Sequence, residues 1–149
     1  MALNIRKALT TSALVATLLI TGCASSPTAW HDNGVNLEGV ESSTARIIRL
    51  YLQPDNGAML LRGEVTRRIH AHGQIPGHLH IEIVSPQGVV IKEADIGYSR
   101  QNSNTHDGSF ELSIPETLAS GSTIRVTHHD TASHLPEAGE NPWRDPDNH

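Results

Sequence analysis

From about Thr44 to Asp130 the chain alternates apolar and polar residues with a period of two, and that periodicity restricts the fold more than any other feature. In "SFELSIP", Phe110, Leu112 and Ile114 alternate with Glu111 and Ser113; in "STIRVTHH", Ile124 and Val126 alternate with Arg125 and Thr127. "ARIIRLYLQ" and "AMLLRGEVTRR" have the same strand-like character. The "PDNG" between them supplies a fixed φ and then a left-handed residue, which makes a turn. "GHLHIEIVS" and "VVIKEADI" flank "PQG", a second hairpin signal. No segment shows the periodicity of an amphipathic helix, and "PETLAS" before Gly121 offers a single turn. About six or seven short strands in fewer than ninety residues predict an all-β domain. The expected form is one small antiparallel β-sandwich, of Ig-like or Greek-key type, with a modest core.

The flanks differ in composition. Arg6 and Lys7 precede the apolar run "ALTTSALVATLLI", thirteen residues, which is shorter than a bilayer-spanning helix of about 20. The run leads into "ITGC", whose Cys23 is the only cysteine of the chain. This segment resembles the lipobox signal of bacterial lipoproteins, with Ile20 where leucine is commonest. The resemblance implies that residues 1–22 are a signal peptide, cut before Cys23, and that the Cys23 sulfur is acylated. At about 0.8 kcal/mol per buried methylene, two or three acyl chains anchor a protein in the lipid bilayer permanently. Ala24 rather than Asp after the cysteine implies sorting to the outer membrane, with the domain in the periplasm. With its only thiol acylated the chain forms no internal disulfide, and the fold rests on its core alone. Residues 23–43 are polar and rich in turn formers, which predicts a tether. Residues 131–149 contain three prolines and several acids, which predicts a mobile tail in which Trp143 is the one residue suited to dock.

Between strands of this domain lies "IHAHGQIPGHLHIEI", residues 69–83, with a His-x-His pair on either side of Pro-Gly. A hairpin turning at Gly73–Gly77 opposes residues whose numbers sum to 150. Ile69 then faces Ile81 and Ala71 faces Leu79 on the core side. Arg68 faces Glu82, His70 faces His80 and His72 faces His78 on the outer side. Four imidazoles would share a solvated face. Opposed residues on neighbouring strands have Cβ atoms about 4.5–5.5 Å apart, close enough for a cross-strand pair to pinch one copper or zinc ion. His70, His72, His78 and His80 are therefore candidate ligands for a weak Cu or Zn site. One of His128 and His129 can join them, since consecutive strand residues point to opposite faces; His128 is the candidate named here. The simplest reading of the same cluster is a plain polar strand face, and a third is a group that repels itself when protonated below about pH 6.

Charge and motifs exclude several functions. Removing residues 1–22 takes Arg6 and Lys7 from 11 basic residues and none of the 16 acids, so 9 oppose 16 and the mature balance is −7 with histidine neutral. Phosphate binding needs clustered Lys and Arg, so nucleic acid is not an expected partner. The chain has no Gly-x-Ser-x-Gly elbow, no His-Glu-x-x-His helix and no phosphate loop, and no catalysis is expected. The succession "LRGEVTRR", "IPGHLHIEIVSPQGVVIKEADI", "SFELSIPETL", "STIRVTHH" resembles the small β-sandwich lipoproteins of the YbaY and pilotin kind. That resemblance implies a non-catalytic accessory module whose partner is another envelope protein.

Overall fold

The computed structural model of the chain describes residues 28–32, 34–68, 75–100, 107–115, 117–131, 135–137 and 140–146. These form strands and connections without a helix: β1 (Thr28–Asp32), β2 (Val35–Val40), β3 (Ala45–Asp55), β4 (Ala58–Arg67), β5 (His78–Val84), β6 (Val90–Ile96), β7 (Ser99–Arg100), β8 (Asp107–Ile114), β9 (Thr123–His129) and β10 (Trp143–Arg144). Two sheets pack face to face. The wider has the order β1-β2-β9-β5-β6-β10 and the narrower β3-β4-β8-β7. The expected small all-β sandwich is present. Its pairings are antiparallel except one, since β2 runs parallel to β9 with Leu37 beside Ile124.

Alternation accounts for the core. Leu79, Ile81 and Ile83 of β5, Ile124 and Val126 of β9, Leu61 and Val65 of β4 and Leu112 and Ile114 of β8 all point between the sheets and are buried. In β3 the alternation breaks. Ala45 and Ile47 are buried, then Leu50 and Leu52, and the register against β4 shifts between Ile47 and Arg49. This bulge adds one residue to the strand, so Ile48 and Arg49 both face outward and the apolar set resumes one position later. The turn to β4 is the tight one expected: Asp55 pairs with Ala58, and Asn56 and Gly57 both have positive φ, as a two-residue hairpin of this hand requires.

Three expectations are corrected. The first is the tether at 23–43. Residues 28–32 and 35–40 of it form β1 and β2, and Val35 and Leu37 lie in the core. The apolar alternation in "VNLEGV" is only two side chains long before Gly39 interrupts it, too short to stand out against its polar neighbours. The second is the mobile tail at 131–149. Trp143 sits in the core with its indole N–H donating to Ser113 O at 2.8 Å, and β10 extends the wide sheet by pairing with β6.

The third is the 69–83 hairpin. Residues 69–74, including His70 and His72, lie outside the described residues; β5 itself is paired along both edges. His80 faces Asp95 of β6 on one side and Thr127 of β9 on the other. β4 pairs with β3 and β8 in the opposite sheet. The chain thus leaves one sheet at Arg67 and enters the other at His78. The two charges expected to meet find other partners: Arg68 pairs with Glu41, and Glu82 with Arg125 at 3.2 Å.

Leu37 gives a direct check on the corrected N-terminal boundary. Leu37→Ala is expected to lower the unfolding free energy by about 3 kcal/mol in urea titration. A residue in a solvated tether would change it by less than about 0.5 kcal/mol.

Candidate functional site

The outer face of the wide sheet carries the histidines, because residues flanking Leu79 and Ile81 in β5 must face away from the core. His78 and His80 are joined there by His129 of β9, which directly opposes His78. The His78 and His129 rings stack with centroids 5.2 Å apart and planes 17° apart, and His80 meets His129 edge-on at 5.9 Å. β6 contributes Asp95 and Glu93. Asp95 Oδ1 accepts a hydrogen bond from His80 Nδ1 at 2.9 Å and lies 3.6 Å from His78 Nε2, while Glu93 Oε2 is 3.8 Å from His80 Nε2. Arg144 of β10 forms an ion pair with the other oxygen of Asp95.

This face is drier than the sequence suggested. His78 and Asp95 are buried, at 7% and 8% exposure. The cover is the chain after β9. His78 Nδ1–H donates to Thr131 O at 2.8 Å, and a crevice of about 220 Å³ above Asp95 is lined by Pro136, Glu140, Asn141, Pro142 and Arg144. Burial alone would raise the Asp95 carboxyl, but hydrogen bonds from His80 and Arg144 outweigh it and hold the group below its ordinary range. His129 is pushed below the usual histidine value by burial and by the neighbouring His78 and His80.

Of the expected metal ligands, His78 and His80 come together; His128 does not join them. It faces the core side, as alternation demands once His129 faces out, and its side chain is fully buried. Tyr98 donates its hydroxyl proton to the carbonyls of Ile75 and Pro76, both at 3.1 Å, so at 3.2 Å it accepts from His128 Nε2–H. Nδ1 of His128 then accepts from Ser42 Oγ at 2.9 Å. Ser42 Oγ in turn accepts from the backbone of Thr44 and Ala45, and Asp130 accepts from Ser43 and Thr44 at 2.6 and 2.5 Å. Ser42, His128 and Asp130 have the residue types of a nucleophilic triad without its geometry. Asp130 lies 3.6 Å from the same Nδ1 that Ser42 occupies, so no proton can be relayed across the ring. The network instead fixes the passage from β2 to β3 against the end of β9.

The outer cluster has one property suited to metal binding. With the Nδ1 protons of His78 and His80 held by a carbonyl and a carboxylate, each neutral ring keeps its lone pair on Nε2, the arrangement that usually supports a metal-bound histidine. Convergence is lacking. Near-parallel stacking of His78 on His129 directs their in-plane lone pairs side by side rather than at one point. Among the described residues no group of three or more His, Cys, Asp and Glu is arranged to hold a metal ion. Sequence reasoning takes Glu93 and Asp95 for solvated strand side chains beside Lys92, whereas Asp95 is buried among the histidines, and it misses Arg144. The first two were accessible from the "PQG" turn, which pairs His80 with Asp95 once that hairpin is closed.

Acid should destabilise the fold through both histidine environments. His128 is depressed by burial, with Asp130 opposing and His78 and His129 adding to the depression. Above about pH 6.5 the rings are neutral in the folded and unfolded chain alike. Below it the unfolded chain binds protons first, so stability falls as pH decreases until the folded-state values are also passed. Asp95 and Asp130, both held low, keep their contribution above about pH 4 and lose it below. Urea midpoints measured from pH 7.5 to 4.5 are expected to hold steady down to about pH 6.5 and to decline below it, with a shallower slope in His128→Gln; a profile flat down to pH 4.5 contradicts this account.

Comparison of the chain with protein-family models, with curated proteins and with solved structures gives no match.

Proposed function

We propose that this protein is an outer-membrane lipoprotein, anchored through acylated Cys23, whose β-sandwich is a non-catalytic accessory module binding another envelope protein from the periplasmic side. The observation that carries the reading is the run from Arg6 to "ITGC", followed within a few residues by the first strand of the domain. A processed anchor joined almost directly to a packed sandwich is the plan of a membrane-tethered module. The polar clusters support a binding role over chemistry, since Ser42, His128 and Asp130 are engaged in holding strands together. An apolar cleft of about 390 Å³ lies at the end of the sandwich opposite to them, lined by Val35, Leu52, Met59, Ile114 and Leu118 among others. It is of a size and character to receive an apolar side chain of a partner.

The Nδ1 bonding of His78 and His80 favours a second reading, low-affinity copper or zinc binding on the same scaffold, with His129 turning out of its stack to complete the set.

Cys23→Ser is expected to abolish incorporation of labelled palmitate and to move the protein from the membrane to the soluble fraction; retention in the membrane with no label contradicts the anchor. Calorimetric titration of the soluble domain with Cu²⁺ and Zn²⁺ tests the second reading. A stoichiometric heat that disappears in His78→Ala/His80→Ala supports it, and no heat at high micromolar metal removes it.

A further inference from the structure

The domain begins with β1, an outermost strand of the wide sheet, and Thr28 is only five residues beyond Cys23. Five residues span at most about 17 Å even when fully extended. From β1 to β10 the wide sheet has five strand spacings, about 24 Å at 4.8 Å each. If the β10 edge rested on the bilayer, the anchor could not reach. The Thr28 end of β1 therefore stays within about 17 Å of the bilayer. The narrower sheet presents β3 on the β1 side, where it packs against β1 and β2. Asp32, at the far end of β1, accepts a hydrogen bond from the backbone N–H of Leu52, which sets Ile48 roughly level with Thr28.

The composition of β3 is an independent indication. Its bulge turns Ile48 and Arg49 outward together on the outer face of the narrower sheet, where Arg49 pairs with Glu64 at 3.0 Å, and Arg46 and Tyr51 are exposed beside them. Ile48 is 40% and Tyr51 37% exposed, two of the few large apolar side chains left open on the described surface. Arginine, an aliphatic residue and tyrosine side by side suit the headgroup region, where the ring sits at the interface and the guanidinium meets phosphate. The acidic balance of the whole chain makes this edge unusual for its protein.

We infer, resting on the anchor reading above, that the Thr28 end of β1 and the adjoining outer face of β3 lie against the phospholipid headgroups, with Arg46, Ile48 and Tyr51 facing the bilayer and the Arg49–Glu64 pair beside them. The acyl chains bind and this face orients. The side carrying β6, β10 and the His–Asp95–Arg144 cluster then faces away from the bilayer.

Because acylation consumes the only native thiol, a single introduced cysteine can be labelled uniquely in the full acylated chain. Ile48→Cys on β3 and Ile91→Cys on β6 are matched exposed sites on opposite sides of the domain. With a fluorophore at each, the protein is bound to phosphatylethanolamine–phosphatidylglycerol vesicles that carry a headgroup nitroxide. Position 48 is expected to be quenched several-fold more strongly than position 91. In an Arg46→Glu/Arg49→Glu background the difference should narrow while flotation with vesicles is unchanged. Equal quenching, or stronger quenching at 91, overturns the orientation. Failure of the acylated wild type to float with vesicles overturns the anchor reading instead, and the orientation with it. Should Ile48→Cys unfold, as judged by its urea midpoint, Arg46→Cys takes its place with the same expected outcome.

Discussion

The parallel ladder between β2 and β9 decides how the rest of the molecule is assembled. β9 has β5 on its other side, so without β2 it would be an edge strand whose backbone groups face water along seven residues. Pairing with β2 makes β9 a central strand and buries Leu37 beside Ile124. It also fixes the direction of the chain. β2 must end at the same end of the sandwich as His129, and there the chain crosses to the opposite sheet as β3. Ser42, Ser43 and Thr44 lie in that crossing, and their hydroxyls bond to His128 and Asp130 at the end of β9. A buried polar network of this kind stabilises only when its members are satisfied. Here the ring of His128 has a partner at each nitrogen.

The division between what the sequence revealed and what it concealed follows the range of each interaction. Alternation is local, so the inward direction of Leu79 and Ile81, and the outward direction of His80, could be read from neighbours one residue away. The Asn56–Gly57 turn was legible for the same reason, because positive φ at both positions is a property of two adjacent residues. Strand pairing is not local. The His-x-His pairs at 70–72 and 78–80 satisfy antiparallel arithmetic by their own symmetry, and that arithmetic says nothing of competing partners. β5 resolves the competition in favour of β6, ten residues or so away, and of β9, more than forty away. Both offer it an apolar inner face: Ile81 lies between Ala94 and Val126.

The outer cluster was half legible on the same principle. His78 and His80 follow from the parity of one strand, and so does His129 rather than His128, which shares the parity of Ile124 and Val126; that His129 meets His78 depends on the register of β9 against β5. Arg144 was beyond reach of any local pattern, since it arrives from a segment whose prolines and acids resemble a solvated tail. The arginine–glutamate pairing that seemed to confirm the hairpin also had a competing solution. Arg125 lies between Glu38 at 3.1 Å and Glu82 at 3.2 Å and is held firmly protonated by them, which uses Glu82 across strands instead. In a sheet with several charges of each sign, complementary charge at one register is weak proof of that register.

The cover over the histidine face shows which kind of force governs it. Arg144 pairs with Asp95, but its side chain is 46% exposed, so solvent screens part of the attraction even though Asp95 is buried. Its neighbour Trp143 is buried to 8% exposure and gives its indole N–H to a backbone carbonyl of β8, across the sandwich. Removing a buried tryptophan typically costs about 3–5 kcal/mol. The segment after β9 is therefore held down by Trp143, and the ion pair follows from that docking rather than causing it. The dryness of His78 and Asp95 has the same origin. Those two groups are shielded because an aromatic side chain one residue before Arg144 fills the core, so the environment of the histidines is coupled to the packing of the sandwich through a single buried ring.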